Sequence, residues 1–383
     1  MLSRGLYRDR NWKRVLLPSE EVIGNKNTGM YDEKLNLRVD TGARCFPDGF
    51  PCIVYLNGDF YGIYCWQLKK HRDNYHQTKD NGKHVHLDGC ISSEILWNAD
   101  GNIDWFKWAG IIAQASTNKD GIEIRNPKSI VMRDGSSYDF DAIHVLGEGA
   151  DITQVEPLGN TDSEYNALVE EAESIQDAKK RKKRLDAIAY SVMAKTSIID
   201  LTKVIPRLNQ MESEGSTDDE IREYMAAKFD IDALIDFQIF SDISANTDGI
   251  SKNWQWNTWD GIKWSCSPYD LDWTFGLMGS DIGIEPLTAH LGATSKTIPC
   301  YWVVTYFNTE LESRYSDLRR LGIIDGERIS NNLNAWTKRV GISMYENEDK
   351  KWQGRRNDNI YRFRNWCIKS VKNMDIVYHY NQN

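Results

Sequence analysis

The chain has 383 residues, a length that favours two lobes or two close-packed domains over a single compact core. Hydrophobic residues make up 40% of it and charged residues 27%, the balance of an ordinary soluble globular protein. The net charge of −9 argues against a general nucleic-acid binder, because such proteins meet phosphate groups with a basic surface. The 14 tryptophans supply large apolar rings that suit either a rigid core or a stacking surface.

The cysteines and the N-terminal residues indicate in which cellular compartment the protein is expected. The chain has 7 cysteines, an odd number, and no Cys-x-x-Cys pair, so we expect no disulfide framework and a reducing environment. Met1 leads into charged residues without an apolar segment, and no run approaches the ~18–20 apolar residues that a membrane helix needs. These features predict no signal peptide and no membrane insertion.

The first part of the chain has the pattern of β-structure. Residues 35–40 alternate as a strand does, and residues 52–66 contain two β-branched and aromatic runs around Asn57-Gly58. Because Asn-Gly tolerates the positive φ angles of a tight turn, this segment predicts a β-hairpin. Strand-like stretches follow at 84–90 and 121–146.

The pattern becomes helical near residue 160. Thr217 to Glu220 fits a capping box, 231–243 fits a helix with a buried face, and 301–322 and 356–376 are again helical. Gly322 is the predicted C-cap of the helix at 301–322.

A second hairpin, with Asp260-Gly261 at its turn, interrupts the helices. The resulting prediction is an α+β fold with a β-rich part at 1–158 and a helical part at 159–383 that carries this inserted hairpin.

One run of the chain is strongly basic. Residues 179–184 are Lys-Lys-Arg-Lys-Lys-Arg, and they follow the acidic residues Glu170, Glu171 and Glu173 in a segment that favours helix. A solvated helix with opposite charges along it explains the run, and a docking patch for an acidic partner is the alternative.

Acidic and amide residues frame the second hairpin. Asp248 and Asn253 precede it, and Asp270 and Asp272 follow it. Because a hairpin brings its two ends together, we expect Asp248 and Asn253 to lie near Asp270. Carboxylates and an amide that converge on one point offer the hard oxygen ligands that Mg²⁺ prefers.

This order of residues suits phosphoryl transfer. One Asp orients or accepts the proton of the attacking hydroxyl, while an Asn and a second Asp hold the metal ions on the phosphates. In protein kinases the catalytic-loop Asp precedes its metal-binding Asn by five residues, as Asp248 precedes Asn253 here. Ordinary turn chemistry explains the same residues equally well on spacing alone.

Three segments resemble the CotH family, the spore-coat-type atypical protein kinases. Residues 246–276 are similar to its signature of Asn-x-Asp, a downstream Asn, a strand with Trp, an acidic turn and Phe-Gly, with Tyr269 where the family usually has Trp. Residues 56–64 resemble its hallmark hairpin, and 314–319 are also similar. The resemblance spans about 40–380.

The resemblance implies a kinase-like, two-lobed fold that binds ATP between the lobes. It implies that Asp248 is the catalytic aspartate and that Asn253 and Asp270 bind Mg²⁺, with the neighbouring Asp272 as a further candidate ligand. Lys69 would contact an α- or β-phosphate of ATP. Trp264 could stack on adenine, and an ordinary core tryptophan is the alternative.

A catalytically silent relative is the rival hypothesis. Leu68 stands beside Lys69 where the family commonly has Glu, so the lysine lacks its expected local partner. The active form would phosphorylate a protein, Ser/Thr-rich by expectation, in the cytoplasm. The silent form would be a structural or adhesive module of a spore coat or viral particle. Neither form calls for nucleic acid as a partner.

Two weaker signals point to other chemistry. Asp40-Thr41-Gly42 resembles one half of a retroviral-type aspartic protease site, which would need a second copy to complete the aspartate pair. His71, His76, His84 and His86 lie close together in the sequence, and His84 and His86 would share a strand face that zinc can use. We expect surface histidines here rather than a zinc site.

Overall fold

The computed structural model describes the hairpin at the start of the β-rich part, scattered strands after it, and most of the chain from 162 onwards. The described residues are 49–67, 72–75, 77, 83–89, 114–115, 122–126, 129–131, 137–139, 150–151, 162–250, 253–278, 281–296, 298–352 and 360–381. The predicted strand at 35–40, the Asp40-Thr41-Gly42 segment, Lys69, His71 and His76 lie outside them.

The strands are short and pair antiparallel. Their bounds are β1 Gly49–Leu56, β2 Asp59–Gln67, β3 Val85–Gly89, β4 Gln114–Ala115, β5 Ile122–Asn126, β6 Ser129–Val131, β7 Ser137–Asp139, β8 Ala150–Asp151, β9 Trp254–Thr258, β10 Trp264–Pro268, β11 Leu277–Met278 and β12 Asp281–Ile282.

The helices follow from residue 162. Their bounds are α1 Asp162–Glu173, α2 Ala178–Ser213, α3 Asp218–Lys228, α4 Ile231–Ser244, α5 Pro299–Tyr306, α6 Asn308–Arg320, α7 Gly326–Val340, α8 Ile342–Lys351 and α9 Ile360–Val377. The fold is therefore mixed α+β, with small antiparallel sheets and many helices.

The first predicted hairpin is confirmed. β1 and β2 are joined by Asn57 and Gly58, which have φ angles of 54° and 89°. The hairpin packs on α8, where Ile63 N donates to Glu348 Oε2 over 2.8 Å. Trp352, directly after this helix, donates through its Nε1 to Tyr61 O over 3.0 Å. A helix near the C-terminus therefore holds a hairpin from the start of the described chain.

The second predicted hairpin is also confirmed, and it lies in a larger sheet than the sequence indicated. β9 and β10 turn at Gly261, whose φ is 77°. They belong to a 4-stranded sheet with the order β10-β9-β3-β5. Strands from both sides of the predicted boundary at 158/159 thus form one sheet, in which β3 pairs antiparallel with β9.

The faces of β9 differ in chemistry although both are buried. Trp254 and Trp256 stack on each other with ring centroids 5.1 Å apart and face the helical core. On the other face Gln255 Oε1 lies 2.6 Å from His86 Nε2. The prediction of surface histidines is wrong for His84 and His86, which are 8% and 0% exposed. His86 belongs to β3, which lies between β5 and β9 in the sheet.

The helical predictions hold with changed boundaries. The capping box of α3 is present, with Thr217 and Glu220 bonded reciprocally. The predicted helix at 301–322 is two helices, α5 and α6, because the chain leaves helical geometry at Phe307. Gly322 follows α6 with φ 63°. The sequence analysis missed α7 and α8.

Helix α4 forms the centre of the helical part, and its side chains are buried throughout 233–244. One of them is a carboxylate. Asp242 is 0% exposed, and its Oδ1 accepts from Gln238 Nε2 over 2.9 Å and from Leu291 N over 2.7 Å. Its Oδ2 accepts from Tyr378 OH over 2.6 Å and lies 2.8 Å from His290 Nδ1.

We expect Asp242→Asn to lower the free energy of unfolding by about 2–4 kcal/mol, because an amide offers only one acceptor oxygen to these buried donors. Urea unfolding measures the change. The matched control is Asp317→Asn, whose carboxylate is about half exposed and pairs with Arg320, so the change should cost about 0.5 kcal/mol or less. Equal losses in the two variants would contradict the assignment of Asp242 as an anchor.

Candidate active site

The loop that carries Asp248 begins where α4 ends. Ala245 has a left-handed conformation with φ 49°, and Asn246 N donates to Ser241 O over 2.9 Å. These two features turn the chain sharply out of the buried helix. Asp248 then begins a short 3₁₀ turn, Asp248–Ile250.

A side-chain hydrogen bond joins Asp248 to Asn253. Asn253 Nδ2 donates to Asp248 Oδ2 over 2.7 Å, and the two residues are only 6% and 8% exposed. Since the amide nitrogen is engaged in this way, Asn253 Oδ1 is the atom that remains to bind a metal ion. The bond therefore orients both side chains at once.

The hairpin brings the Asp270 turn to the same place. Trp254 pairs with Pro268 at the open end of the hairpin, and one step further Tyr269 N donates to Asn253 O over 3.0 Å. Asp270 is the next residue. The sequence expectation that Asn253 and Asp270 lie close together because a hairpin joins them is thus met in the backbone.

Asp270 and Asp272 are exposed, whereas Asp248 is buried. Asp270 has a left-handed conformation with φ 53°. The turn ends at Phe275, whose N donates to Ser244 O over 2.6 Å, so it returns to the last residue of α4. Both acidic segments are therefore fixed to one helix end.

Helix α9 packs against the Phe-Gly pair that closes the turn. The Phe275 ring contacts Trp366 with centroids 5.9 Å apart, and Trp366 Nε1 donates to Ile284 O over 2.7 Å. A Cβ on Gly276 would lie 2.4 Å from Trp366 Nε1. Glycine is therefore required there, both for this close approach and for the positive φ of 84°.

The oxygen ligands available at this site suit Mg²⁺ better than a metal ion whose ligands all come from the protein. Within the described ranges, no three His, Cys, Asp or Glu side chains are grouped as a metal site. Mg²⁺ commonly takes one or two carboxylates and completes its shell with water and substrate phosphates. Asn253 Oδ1 and the exposed Asp270 carboxylate are the protein oxygens that such a partial shell would use, with water and phosphate as its other ligands.

The chain was compared with known families and proteins. It matches the description CotH kinase protein over residues 45–374, which is most of its length. The chain belongs to the CotH kinase family. No curated protein matches it significantly. No helix among the residues that the structure describes is long and apolar enough to cross a membrane.

The family resemblance suggests Lys69 and Trp264 as contacts for ATP, and the structure describes only Trp264. Lys69 lies outside the described residues, so its contact with phosphate stays a prediction. Trp264 is 1% exposed and packs in the core, and its carbonyl accepts from Asp230 N over 2.8 Å. The structure thus favours the core alternative for Trp264 over adenine stacking.

The sequence analysis missed the residues that support the site. Asp242 could have been noticed as an acid within the apolar helix α4, because a buried acid needs partners. Trp366 gave no local signal, since its contact with Ile284 spans 82 residues of chain. Local sequence patterns likewise predict no role for Gly249.

Gly249 is required because Asn246 folds over it. Gly249 N donates to both the backbone O and the Oδ1 of Asn246, each over 3.2 Å. A Cβ on Gly249 would lie 2.0 Å from Asn246 Nδ2 and 2.5 Å from its Cγ. Asn246 is 1% exposed and cannot swing away freely.

We expect Gly249→Ala to lower the free energy of unfolding by about 1–3 kcal/mol, the usual cost of overpacking a buried site. The three clashing atoms all belong to the Asn246 side chain beyond its Cβ. Adding Asn246→Ala removes them, so Gly249→Ala should cost less in that background, as a double-mutant cycle in urea would show. Additive costs would contradict the clash.

Proposed function

We propose that this member of the CotH kinase family is an ATP- and Mg²⁺-dependent phosphotransferase that acts on a protein Ser or Thr hydroxyl. The observation that carries the proposal is the hydrogen bond from Asn253 to Asp248, combined with the bond from Tyr269 N to Asn253 O. Together they assemble a carboxylate, an amide oxygen and the Asp270 turn in the order that phosphoryl transfer uses.

Asp248 acts on the nucleophile. Its Oδ2 accepts the Asn253 amide, and the carboxylate would take up the proton of a substrate hydroxyl as that oxygen bonds to the γ-phosphorus and the bond from this phosphorus to the ADP oxygen breaks. Burial of Asp248 limits competition from water at this position. Asp248 therefore positions and deprotonates the hydroxyl, and it contributes little to the affinity for nucleotide.

Asn253 and Asp270 would hold Mg²⁺, with Asp272 as an additional ligand. The ion, when bound, neutralises charge on the phosphate oxygens. Lys69 remains the proposed contact for an α- or β-phosphate. In this arrangement ATP binds between the β-rich part of the chain and its helical part, in the two-lobed manner of kinases.

A scaffold without catalysis is the second candidate. It is favoured by Leu68, which takes the place of the acidic residue expected beside Lys69. Such a protein would keep the fold for a structural or adhesive role in a coat or particle. The experiments below distinguish this possibility, because a scaffold needs neither metal-dependent nucleotide binding nor an intact Asp248.

ATP should bind tightly only when Mg²⁺ is present, because Asn253 and Asp270 reach the phosphates through the ion. Calorimetry with and without Mg²⁺ measures the difference. Asp270→Asn should weaken Mg²⁺-ATP binding about tenfold or more, and the half-exposed control Asp317→Asn should change it less than about twofold. A loss in Asp272→Asn as large as that in Asp270→Asn would add Asp272 to the ligands. Equal ATP affinity with and without Mg²⁺ would refute the metal assignment.

Asp248→Asn should abolish phosphate transfer and leave Mg²⁺-ATP binding almost unchanged. The substitution keeps an oxygen that can accept the Asn253 amide, so the loop geometry is retained while the general base is lost. We expect transfer from labelled ATP to a Ser/Thr-rich test protein to fall by about 100- to 10,000-fold. Unchanged transfer in this variant would exclude Asp248 as the base. If the unmodified protein folds but transfers no phosphate, the scaffold takes the place of the enzyme.

A further inference from the structure

The basic run lies on a helical hairpin formed by α1 and α2. The turn between the two helices is short, and Ala172, near the end of α1, is fully buried. Further along α2, Ser197 Oγ donates to Gly261 O over 2.7 Å, which fixes the helix to the tip of the second hairpin. The basic residues are at the start of α2, some 15 residues before that contact.

The arginines and lysines of the run have different environments. Arg181 Nη1 donates to Ile175 O over 3.2 Å, and Arg184 Nη2 lies 3.8 Å from Glu171 Oε1, so both point back towards the turn and α1. The four lysines, by contrast, are exposed, and none has a side-chain partner among the residues that the structure describes. They are Lys179, Lys180, Lys182 and Lys183.

The four lysines share one side of the helix. At about 100° per residue they fall within an arc of about 160°, and the two arginines lie in the remaining arc. This lysine face, defined by Lys179, Lys180, Lys182 and Lys183, therefore presents four positive charges in one direction. It is the most concentrated charge of a single sign in the sequence.

The lysine face lowers the stability of helix α2. Like charges three or four residues apart repel, as Lys179 does with Lys182 and Lys183. Positive charge in the first turns also opposes the helix dipole, and α2 has no acidic residue in its first turn. The Asp177 cap offsets part of this cost, since its Oδ1 accepts from the backbone of Lys179 and Lys180 over 2.9 Å. Stability alone does not explain the run.

We propose that the lysine face of α2 is a docking surface for an acidic segment of a partner polypeptide. Lysine ammonium groups are flexible, strongly hydrated point charges, which suit an irregular row of carboxylates. Charge complementarity is what selects the partner, and the interaction is independent of phosphate transfer at the candidate active site.

The surroundings of the lysine face disfavour nucleic acid. Glu170, Glu171 and Glu173 on the adjoining helix α1 are exposed, and the chain as a whole carries −9. A nucleic acid extends a continuous line of negative charge past such a small face and into these acidic surroundings. A short acidic peptide can end where the positive charge ends.

The test uses a fluorescein-labelled peptide of ten glutamates and fluorescence anisotropy with the full chain. Replacing all four lysines of the face by glutamine should weaken binding about tenfold or more, which corresponds to about 1.4 kcal/mol. Raising NaCl from about 50 mM to about 300 mM should weaken binding to the unmodified protein, because the contacts are exposed. The thermal midpoint of the variant should be no lower, since repulsion is removed.

The matched control replaces four scattered exposed lysines by glutamine, namely Lys203, Lys263, Lys338 and Lys372. It changes the net charge equally and should alter the peptide affinity less than about twofold. Equal losses in both variants would overturn the proposal, because attraction would then depend on net charge alone. Tighter binding of a ten-base single-stranded DNA that is lost in the lysine-face variant would also overturn it, in favour of a nucleic-acid surface.

Discussion

Asp242 is a fully buried carboxylate, and the geometry of the candidate site depends on the bonds that it receives. Its donors come from α4, from the loop at His290 and Leu291, and from Tyr378 just after α9. Burial and the nearby Asp242 charge raise the pKa of Tyr378 well above its usual value, so the hydroxyl stays protonated and donates. Because an unpaired buried charge is costly, the three segments can separate only at a large cost in free energy.

What Asp242 holds in place is the last turn of α4, and both acidic segments attach there. The loop that carries Asp248 leaves through Asn246, bonded to Ser241, and the Asp270 turn returns at Phe275, bonded to Ser244. A rotation of this helix end would move the two segments together. The relative position of Asp248 and Asp270 is therefore set by one buried helix and one hairpin.

The sequence predicted what local chemistry controls. Asn57-Gly58 and Asp260-Gly261 marked the two hairpins because those turns need positive φ, and the hairpin geometry then placed Asn253 beside Tyr269. The pairing of β9 with β3 and the contact of Trp366 with Ile284 join residues far apart in the chain. No periodicity encodes such contacts. The burial of His86 has the same origin, since β9, from a distant part of the chain, pairs with β3 at this residue.

Backbone conformation also bears on the choice between enzyme and scaffold. Among the described residues, six other than glycine have positive φ, and four of them frame the candidate site: Ala245, Asn253, Asp270 and Phe275. Such conformations cost free energy, and they persist where surrounding structure holds them for a purpose. A scaffold would gain stability by relaxing these turns or by placing glycine in them. The chain instead keeps an alanine and a phenylalanine there, and the bond from Phe275 N to Ser244 O holds the phenylalanine in place. The local cost is best explained if the arrangement of Asp248, Asn253 and Asp270 is itself what the fold preserves, which favours the enzyme.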